Sequence, residues 1–114
     1  MILELAVLNV IPERRADFES GFEIAQEIIS SANGYLGHQL QQCLENPNRY
    51  ILLVWWNKLE DHTIGFRKSS SYLKWKNLLH HFYDPFPVVE HYSLRFENLT
   101  VKYGKKLAGD SGKM

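Results

Sequence analysis

Hydrophobic residues occupy nearly every position of the first segment, Ile2–Ile11. A strand with one face in water would alternate apolar and polar side chains, so this pattern predicts a strand that is buried on both faces. Pro12 ends the segment and suits the first turn of a helix. The chain is therefore expected to begin with a strand that leads directly into a helix.

The next segment changes from a strand period to a helix period. Apolar side chains recur at spacings of three and four residues, which places them on one helical stripe. This stripe consists of Phe18, Phe22, Ala25 and Ile29. Asn33 and Gly34 follow, and both tolerate the left-handed backbone that ends many helices. The sequence predicts a helix over residues 13–31.

Two strands and a turn follow the first helix. Tyr35–Leu44 and Tyr50–Trp56 are predicted strands, and Asn46–Asn48 between them has the composition of a turn. The second of these strands is again apolar on both faces. The pair is therefore expected to form a hairpin.

A second helical region and a last strand complete the pattern. Asn57 followed by Glu60 resembles a capping box, which predicts a helix start. Ser69–Ser71 is expected to break this helix and restart it. Val88–Phe96 alternates along its length and predicts a fourth strand. The apolar stripe of the restarted helix consists of Tyr72, Trp75, Leu79 and Phe82.

The element order is β-α-β-β-α-β, which predicts an α+β, ferredoxin-like domain with a four-stranded antiparallel sheet. Two helices can cover only one face of such a sheet, and an uncovered apolar face would be larger than a soluble monomer exposes. The sequence therefore predicts a homodimer in which two sheets pack on each other. Residues 1–100 are expected to form this domain, and residues 101–114 a flexible tail that contains Lys and Gly.

Composition excludes several classes of function. Thirteen basic and thirteen acidic residues give a net charge of zero, so no basic face is available for nucleic acid or an anionic membrane. No apolar run reaches the roughly 18 residues that span a bilayer, and the N-terminus lacks the pattern of a signal peptide. The single cysteine, Cys43, cannot form an internal disulfide. A cytoplasmic protein is the expectation.

Four stretches of the chain carry a resemblance to a known family. They are Val54–Trp56, His62–Ser69, Tyr72 with Trp75, and Pro87–His91. Through them, residues 1–97 resemble the antibiotic biosynthesis monooxygenase domain. The resemblance implies ferredoxin-like monomers that pair into a dimeric α/β barrel, each with a pocket between its helices and its sheet. It also implies oxygenation, since members include cofactor-free oxygenases of aromatic phenols and haem-degrading enzymes.

The haem-degrading branch is matched at one position of three. Asn9 matches an asparagine late in the first strand, whereas Phe66 stands in the place of a tryptophan and Lys76 near that of a histidine. A lysine cannot serve as the neutral axial ligand of haem. The resemblance therefore favours catalysis without a bound cofactor, with molecular oxygen as the co-substrate, and haem degradation is a third hypothesis that Asn9 alone supports.

The quinone-forming branch is matched in part. Trp56 matches a tryptophan that closes the third strand, but His62 replaces a tyrosine and Leu52 replaces an asparagine. A positive charge is kept at Lys76, near a family arginine. Neither branch is reproduced, which also favours a second hypothesis: a non-catalytic dimeric module that binds a small molecule or serves a stress response.

Oxygenation without metal or flavin requires that the protein remove a proton, hold the resulting anion and exclude water. His62 is the candidate base because its side chain titrates near neutrality, and the alternative is a surface histidine beside two acids. Asn9 is the candidate donor to a developing oxyanion, and the alternative is an asparagine bonded to nearby backbone at the strand end.

The remaining candidates would bind the substrate. Arg67 is expected to contact either a substrate anion or Glu90, and His91 to face either the pocket or the dimer interface. Strand alternation sends Trp55 and Trp56 to opposite faces, and the resemblance implies that Trp56 faces the pocket. With Phe66 and Trp75, it would form walls that suit a flat aromatic ligand.

The five histidines do not indicate a metal site. No pair has the His-Glu-x-x-His spacing, and no Cys/His cluster is present in the sequence. His80 and His81 close a helix, where a cation interacts favourably with the helix dipole. The sequence as a whole predicts a monooxygenase that acts on an aromatic, phenolic or quinol-type small molecule.

Overall fold

The computed structural model of the protein describes residues 1–100. Three short helical turns lie between the main elements: 3-10 turns at Pro12–Arg14 and His80–Phe82, and a π-helical turn at Asp61–Phe66. The predicted tail, residues 101–114, lies outside the described residues. The main elements are β1 (Ile2–Asn9), α1 (Arg15–Ile29), β2 (Tyr35–Gln42), β3 (Arg49–Trp56), α2 (Ser70–Leu79) and β4 (Val89–Ser93).

The four strands form one antiparallel sheet in the order β2-β3-β1-β4. The two helices pack against each other and cover one face of it. The prediction of an α+β, ferredoxin-like fold is confirmed. Because β1 lies in the centre, its residues have cross-strand neighbours on both sides, and Glu4 lies between Val54 of β3 and His91 of β4.

Alternation along the central strands separates a core face from an outer face. On the outer face, the side chains of Leu3, Leu5 and Val7 are only partly buried in the single chain. The prediction of strands buried on both faces is therefore met on one face only, the one that carries the helices. The residues of β1 and β3 that face the helices and are buried are Glu4, Ala6, Leu8, Tyr50, Leu52, Val54 and Trp56.

The helix boundaries differ from the predicted ones for local reasons. A 3-10 turn precedes α1, which ends at Ile29 with Ser30 as its C-cap. The predicted capping box does not form: the Asp61 carboxylate, not Glu60, accepts a hydrogen bond of 3.0 Å from the backbone N–H of Lys58. Ser69 does restart the helix, since its hydroxyl accepts from the backbone N–H of Tyr72 at the start of α2.

Strands β2 and β4 are shorter than predicted. Pairing of β2 ends at Gln42, and β4 pairs with β1 only over Val89–Ser93. The side chains that follow β4 are exposed, including Leu94 and Phe96. Over residues 1–100, no helix has both the length and the apolar character that a bilayer crossing requires.

Candidate active site

A cavity of about 230 Å³ lies between the helices and the core face of the sheet. Its floor is formed by side chains of β1 and β3, its sides by the π-helical turn and α2, and its rim by the segment after α2. Apolar rings and a few polar groups converge on it. The lining residues used below are Glu4, Leu52, His62, Phe66, Arg67 and Trp75.

Aromatic side chains, Phe66 and Trp75 among them, line the cavity. Both are almost fully buried, and their rings meet edge to face with centroids 6.0 Å apart. Tyr72 stands edge-on to Phe66 at 5.6 Å. Such a set of fixed ring faces and edges is complementary to a flat aromatic ligand.

The polar centre of the cavity is the carboxyl group of Glu4. This side chain is 6% exposed and accepts a hydrogen bond of 2.9 Å from the indole Nε1–H of Trp56. Burial disfavours the charged form and raises the pKa of Glu4 to about 7, although the Trp56 bond and the charge of Arg67 oppose the rise. A carboxyl group with this pKa exchanges a proton near neutral pH.

His62 lies directly beside Glu4. It belongs to the π-helical turn, and its ring stacks on that of Trp56 with centroids 5.4 Å apart and an interplanar angle of 19°. Its Nε2 is 3.4 Å from Oε1 of Glu4. Burial, with the nearby Arg67 and His91, lowers the pKa of His62 to about 3, so the ring is neutral at physiological pH.

The other ring nitrogen of His62 contacts His91. The two strands β1 and β4 place Glu4 and His91 directly opposite each other, and His62 Nδ1 lies 2.8 Å from His91 Nε2. His91 therefore points to the helix side of the sheet and not to the outer face. Partial burial, with Arg67, lowers its pKa below the ordinary value.

Arg67 lines the cavity at the end of the π-helical turn while most of its side chain is exposed. It forms no ion pair with Glu90 within residues 1–100, where the Glu90 carboxylate instead accepts a hydrogen bond from Tyr92. The guanidinium charge lowers the pKa of Glu4, His62 and His91. The cavity thus has a positive group at its side that is available to an anion.

Three of the predicted site residues do not line the cavity: His91, Asn9 and Trp56. Asn9 belongs to the outer face, because the residues of β1 that line the cavity are Glu4, Ala6 and Leu8. Its prediction as a donor into the pocket is corrected on this ground. Trp56 does face the helix side, opposite to Trp55, but it is fully covered and lies behind Glu4 and His62 without lining the cavity.

Sequence reasoning missed two members of the site. Glu4 is the one charged side chain among the inward residues of β1, and this break in an apolar strand was the available signal. His80 lines the cavity, and its Nδ1 is buried without a hydrogen-bond partner among the described residues. Burial and neighbouring cations lower the pKa of His80 to about 4, so it cannot supply the expected cation at the helix end near neutral pH.

The described residues do not gather the side chains that a metal requires: within 1–100, no group of three His, Cys, Asp or Glu side chains could hold an ion. Glu4, His62 and His91 form a chain and do not converge on one point. The cavity is therefore equipped for proton transfer beside an aromatic ligand.

Comparison with known proteins gives related sequences and folds. Residues 1–78 match the family model described as antibiotic biosynthesis monooxygenase. The chain is 50% identical over 92 residues to the uncharacterized protein YczJ of Bacillus subtilis (strain 168). This alignment covers 81% of this chain and 97% of YczJ.

Two solved structures are similar over most of the chain. A candidate antibiotic biosynthesis monooxygenase from Bordetella bronchiseptica is 34% identical with a TM-score of 0.80, covering 83% of this chain and 97% of that one. SnoaB, a cofactor-independent oxygenase from Streptomyces nogalater, shares the fold at 18% identity and a TM-score of 0.70. The superposition covers 88% of this chain and 97% of SnoaB. With the family model matched over more than half of its length, the chain belongs to the antibiotic biosynthesis monooxygenase family.

Proposed function

We propose that this protein is a cofactor-independent monooxygenase that acts on an aromatic, phenolic or quinol-type small molecule. The observation that carries the proposal is the buried Glu4–His62 pair, which faces a cavity walled by Phe66 and Trp75. Membership of the antibiotic biosynthesis monooxygenase family supports the reaction class. SnoaB, which shares the fold, is a cofactor-independent oxygenase.

The reaction needs a substrate that reduces oxygen after it loses a proton. A phenolate or the carbanion of an anthrone gives an electron to O₂, and the two radicals combine into a peroxide on the ring carbon. Loss of water from this peroxide leaves a carbonyl group, so that a CH₂ group and O₂ become a C=O group and H₂O. The protein has to remove the proton, hold the anion and keep the site dry.

The Glu4–His62 pair is suited to the first task. A general base works best when its pKa is close to the working pH, and the pKa of Glu4 is about 7. His62 alone, with a pKa of about 3, would be a weak base. We therefore assign the base to the pair, with the Glu4 carboxylate as proton acceptor and His62 as its neighbour at 3.4 Å.

Arg67 and the aromatic walls are suited to the other two tasks. The exposed guanidinium lines the cavity and can pair with the anion that proton removal creates. The rings of Phe66 and Trp75 bind a flat substrate and displace water from the cavity.

Oxygen uptake tests the proposal. The purified protein is mixed with a panel of anthrones and naphthols, and O₂ consumption is compared for wild type, Glu4→Gln and His62→Ala. Loss of the base should lower the rate about 100-fold or more for Glu4→Gln. Glu23→Gln, at an exposed position of α1, is the matched control and should keep the wild-type rate. Uptake that Glu4→Gln leaves unchanged would remove the pair from the mechanism.

A non-catalytic binding module is the second candidate function. Leu52 lines the cavity at the position where the quinone-forming enzymes of the family have an asparagine, so one polar group of that branch is missing. In this case the same panel should raise the melting temperature of the protein without any product. Formation of a quinone by wild type would exclude this alternative.

We also propose that the protein is a cytoplasmic homodimer. The outer face of the sheet carries partly buried apolar side chains, and its edge has an apolar groove lined by Leu3, Trp55, Tyr92 and Phe96. A second copy of the same face is an occupant of matching chemistry. Sedimentation equilibrium should give twice the 13.4 kDa chain mass at micromolar concentration, and a folded species of 13.4 kDa would exclude the dimer.

A further inference from the structure

Three titratable side chains from three different elements form a continuous chain from the cavity floor towards the surface. Glu4 Oε1 is 3.4 Å from His62 Nε2, and His62 Nδ1 is 2.8 Å from His91 Nε2. Glu4 and His62 are buried, at 6% and 3% exposed, whereas His91 at the outer end is only partly buried. Each nitrogen of His62 thus faces a group that can take or give a proton.

The positions of the hydrogens in this chain depend on one another. A neutral imidazole has one nitrogen that donates and one that accepts. If Glu4 is protonated and donates to His62 Nε2, then His62 Nδ1 carries the hydrogen and donates to His91. If Glu4 is a carboxylate, His62 Nε2 carries the hydrogen and donates to Glu4, so that Nδ1 accepts from His91. The protonation of Glu4 therefore selects the tautomer of both rings.

We propose that Glu4, His62 and His91 form a proton relay that exchanges the proton of the buried carboxyl group with water. Its use in catalysis, where it sets the protonation of the Glu4 base, rests on the proposed function, but the exchange itself needs no substrate. His91, which the sequence suggested as a binding residue, becomes the outer end of the relay. It is a positioning and proton-transfer residue that does not line the cavity.

The proton balance of one transfer is complete. When Glu4 is protonated and both rings carry their hydrogen on Nδ1, the carboxyl hydrogen passes to His62 Nε2, the hydrogen on His62 Nδ1 passes to His91 Nε2, and the hydrogen on His91 Nδ1 passes to water. Glu4 is then a carboxylate, both rings have changed tautomer, and no electron has moved. The same three transfers in reverse bring a proton from water to Glu4 and restore the first tautomers.

The charged and titratable groups around the relay keep both rings neutral. From the π-helical turn, Arg67 lowers the pKa of His62 and His91, and each ring is also partly desolvated. From β3, the Nε1–H of Trp56 holds the Glu4 carboxylate in place. His80, from the turn after α2, is itself neutral and adds no charge to the cavity near neutral pH. A proton can therefore pass through the rings without being trapped on one.

Nitrogen NMR on the full chain without substrate tests the relay. In ¹⁵N-labelled wild type, long-range ¹H–¹⁵N spectra give the tautomer of His62 from about pH 5.5 to about pH 8.5, on either side of the Glu4 titration. We expect the ring hydrogen of His62 to move from Nδ1 to Nε2 as pH rises. Glu4→Gln should abolish the change, because its side chain does not ionise.

A second variant separates the relay from a merely structural contact. His91→Phe keeps a ring at this position but removes the acceptor, so exchange of the His62 ring hydrogen with water should slow at least tenfold. His81→Phe, an exposed histidine of the same type, should leave the exchange unchanged. A single His62 tautomer at every pH, or a change that persists in Glu4→Gln, would overturn the relay. Absence of turnover on the oxygen-uptake panel would count against the proposed function alone.

Discussion

The indole Nε1–H of Trp56 donates a hydrogen bond of 2.9 Å to Oε1 of Glu4 in the interior of the protein. This bond stabilises the charged form of a carboxyl group that burial otherwise keeps protonated. The register of β1 and β3 creates it, because the two strands run antiparallel with Ile2 opposite Trp56. A fully buried tryptophan thus adjusts the proton affinity of the residue that faces the cavity.

Trp56→Phe should raise the pKa of Glu4 above about 7, because the phenyl ring fills the space but donates no hydrogen bond. Carbon NMR of ¹³C-labelled glutamate side chains measures this pKa directly. Trp55→Phe makes the same change on the opposite face of the sheet and should leave the pKa of Glu4 as in wild type. Equal values in Trp56→Phe and wild type would contradict the role of the indole.

Glu4→Gln should make the protein more stable than wild type at alkaline pH. In the folded protein Glu4 keeps its proton up to about pH 7, whereas the unfolded chain loses it near 4.5. The folded state binds more protons in this window, so the free energy of unfolding falls as pH rises and levels off above 7. The loss amounts to about 3 kcal/mol, and glutamine, which has no proton to lose, avoids it.

Urea unfolding near pH 5 and near pH 8.5 checks this prediction. The stability of Glu4→Gln relative to wild type should increase by about 2 to 3 kcal/mol between these two conditions. His62 and His80 have lowered pKa values, so they reduce the free energy of unfolding as pH falls below 6.5. This effect is present in wild type and in Glu4→Gln, so it cancels in the comparison. A difference that does not change with pH would show that Glu4 ionises normally.

Gly34→Ala should destabilise the fold. The backbone of Gly34 has a φ angle of 82°, which residues other than glycine rarely adopt. A Cβ atom at this position would also overlap the carboxylate of Asp61. We expect a loss of about 1 to 3 kcal/mol by chemical denaturation. Gly37→Ala, where a Cβ meets nothing within 4 Å, is the matched control and should change stability by less than about 1 kcal/mol. Similar losses in the two variants would refute this explanation.

Arg67→Gln should raise the pKa of His91. Partial burial is the larger cause of the lowered pKa of His91, and the positive charge of Arg67 is the second. The glutamine side chain of the variant is uncharged and removes this second cause. A proton NMR titration of the His91 ring gives the value. Lys68→Gln removes a positive charge one residue further along, from an exposed side chain, and should have a smaller effect. If both variants raise the pKa of His91 equally, the effect comes from the net charge of the protein and not from the position of Arg67.

The fold could be predicted because the first helix has a clear period and turn residues separate the strands. The stripe of Phe18, Phe22, Ala25 and Ile29 specified α1, and all four side chains are buried. The faces of β1 could not be assigned in the same way, because its residues are apolar on both sides. The resemblance predicts Asn9 as a donor into the pocket, whereas the alternation that buries Glu4 turns Asn9 outward.

The site was only partly predictable, because it depends on contacts between distant segments. His62 was a candidate from its residue type, but its contacts with Glu4 and His91 arise from the π-helical turn and from the β1–β4 register. Neither feature has a local sequence signal. Glu4 did have one, as a single acid among the inward apolar residues of a central strand. Burying such a residue costs stability, and its hydrogen bond from Trp56 offsets only part of that cost.

The most direct test of the central claim is a crystal structure of the protein with a naphthol or anthrone, prepared without oxygen so that no turnover occurs. We expect the ring between Phe66 and Trp75, and its acidic oxygen or carbon within hydrogen-bonding reach of Glu4 or His62. Arg67 should lie beside the same atom. A ligand whose acidic atom points away from the Glu4–His62 pair, with the ring bound outside the cavity, would contradict the account.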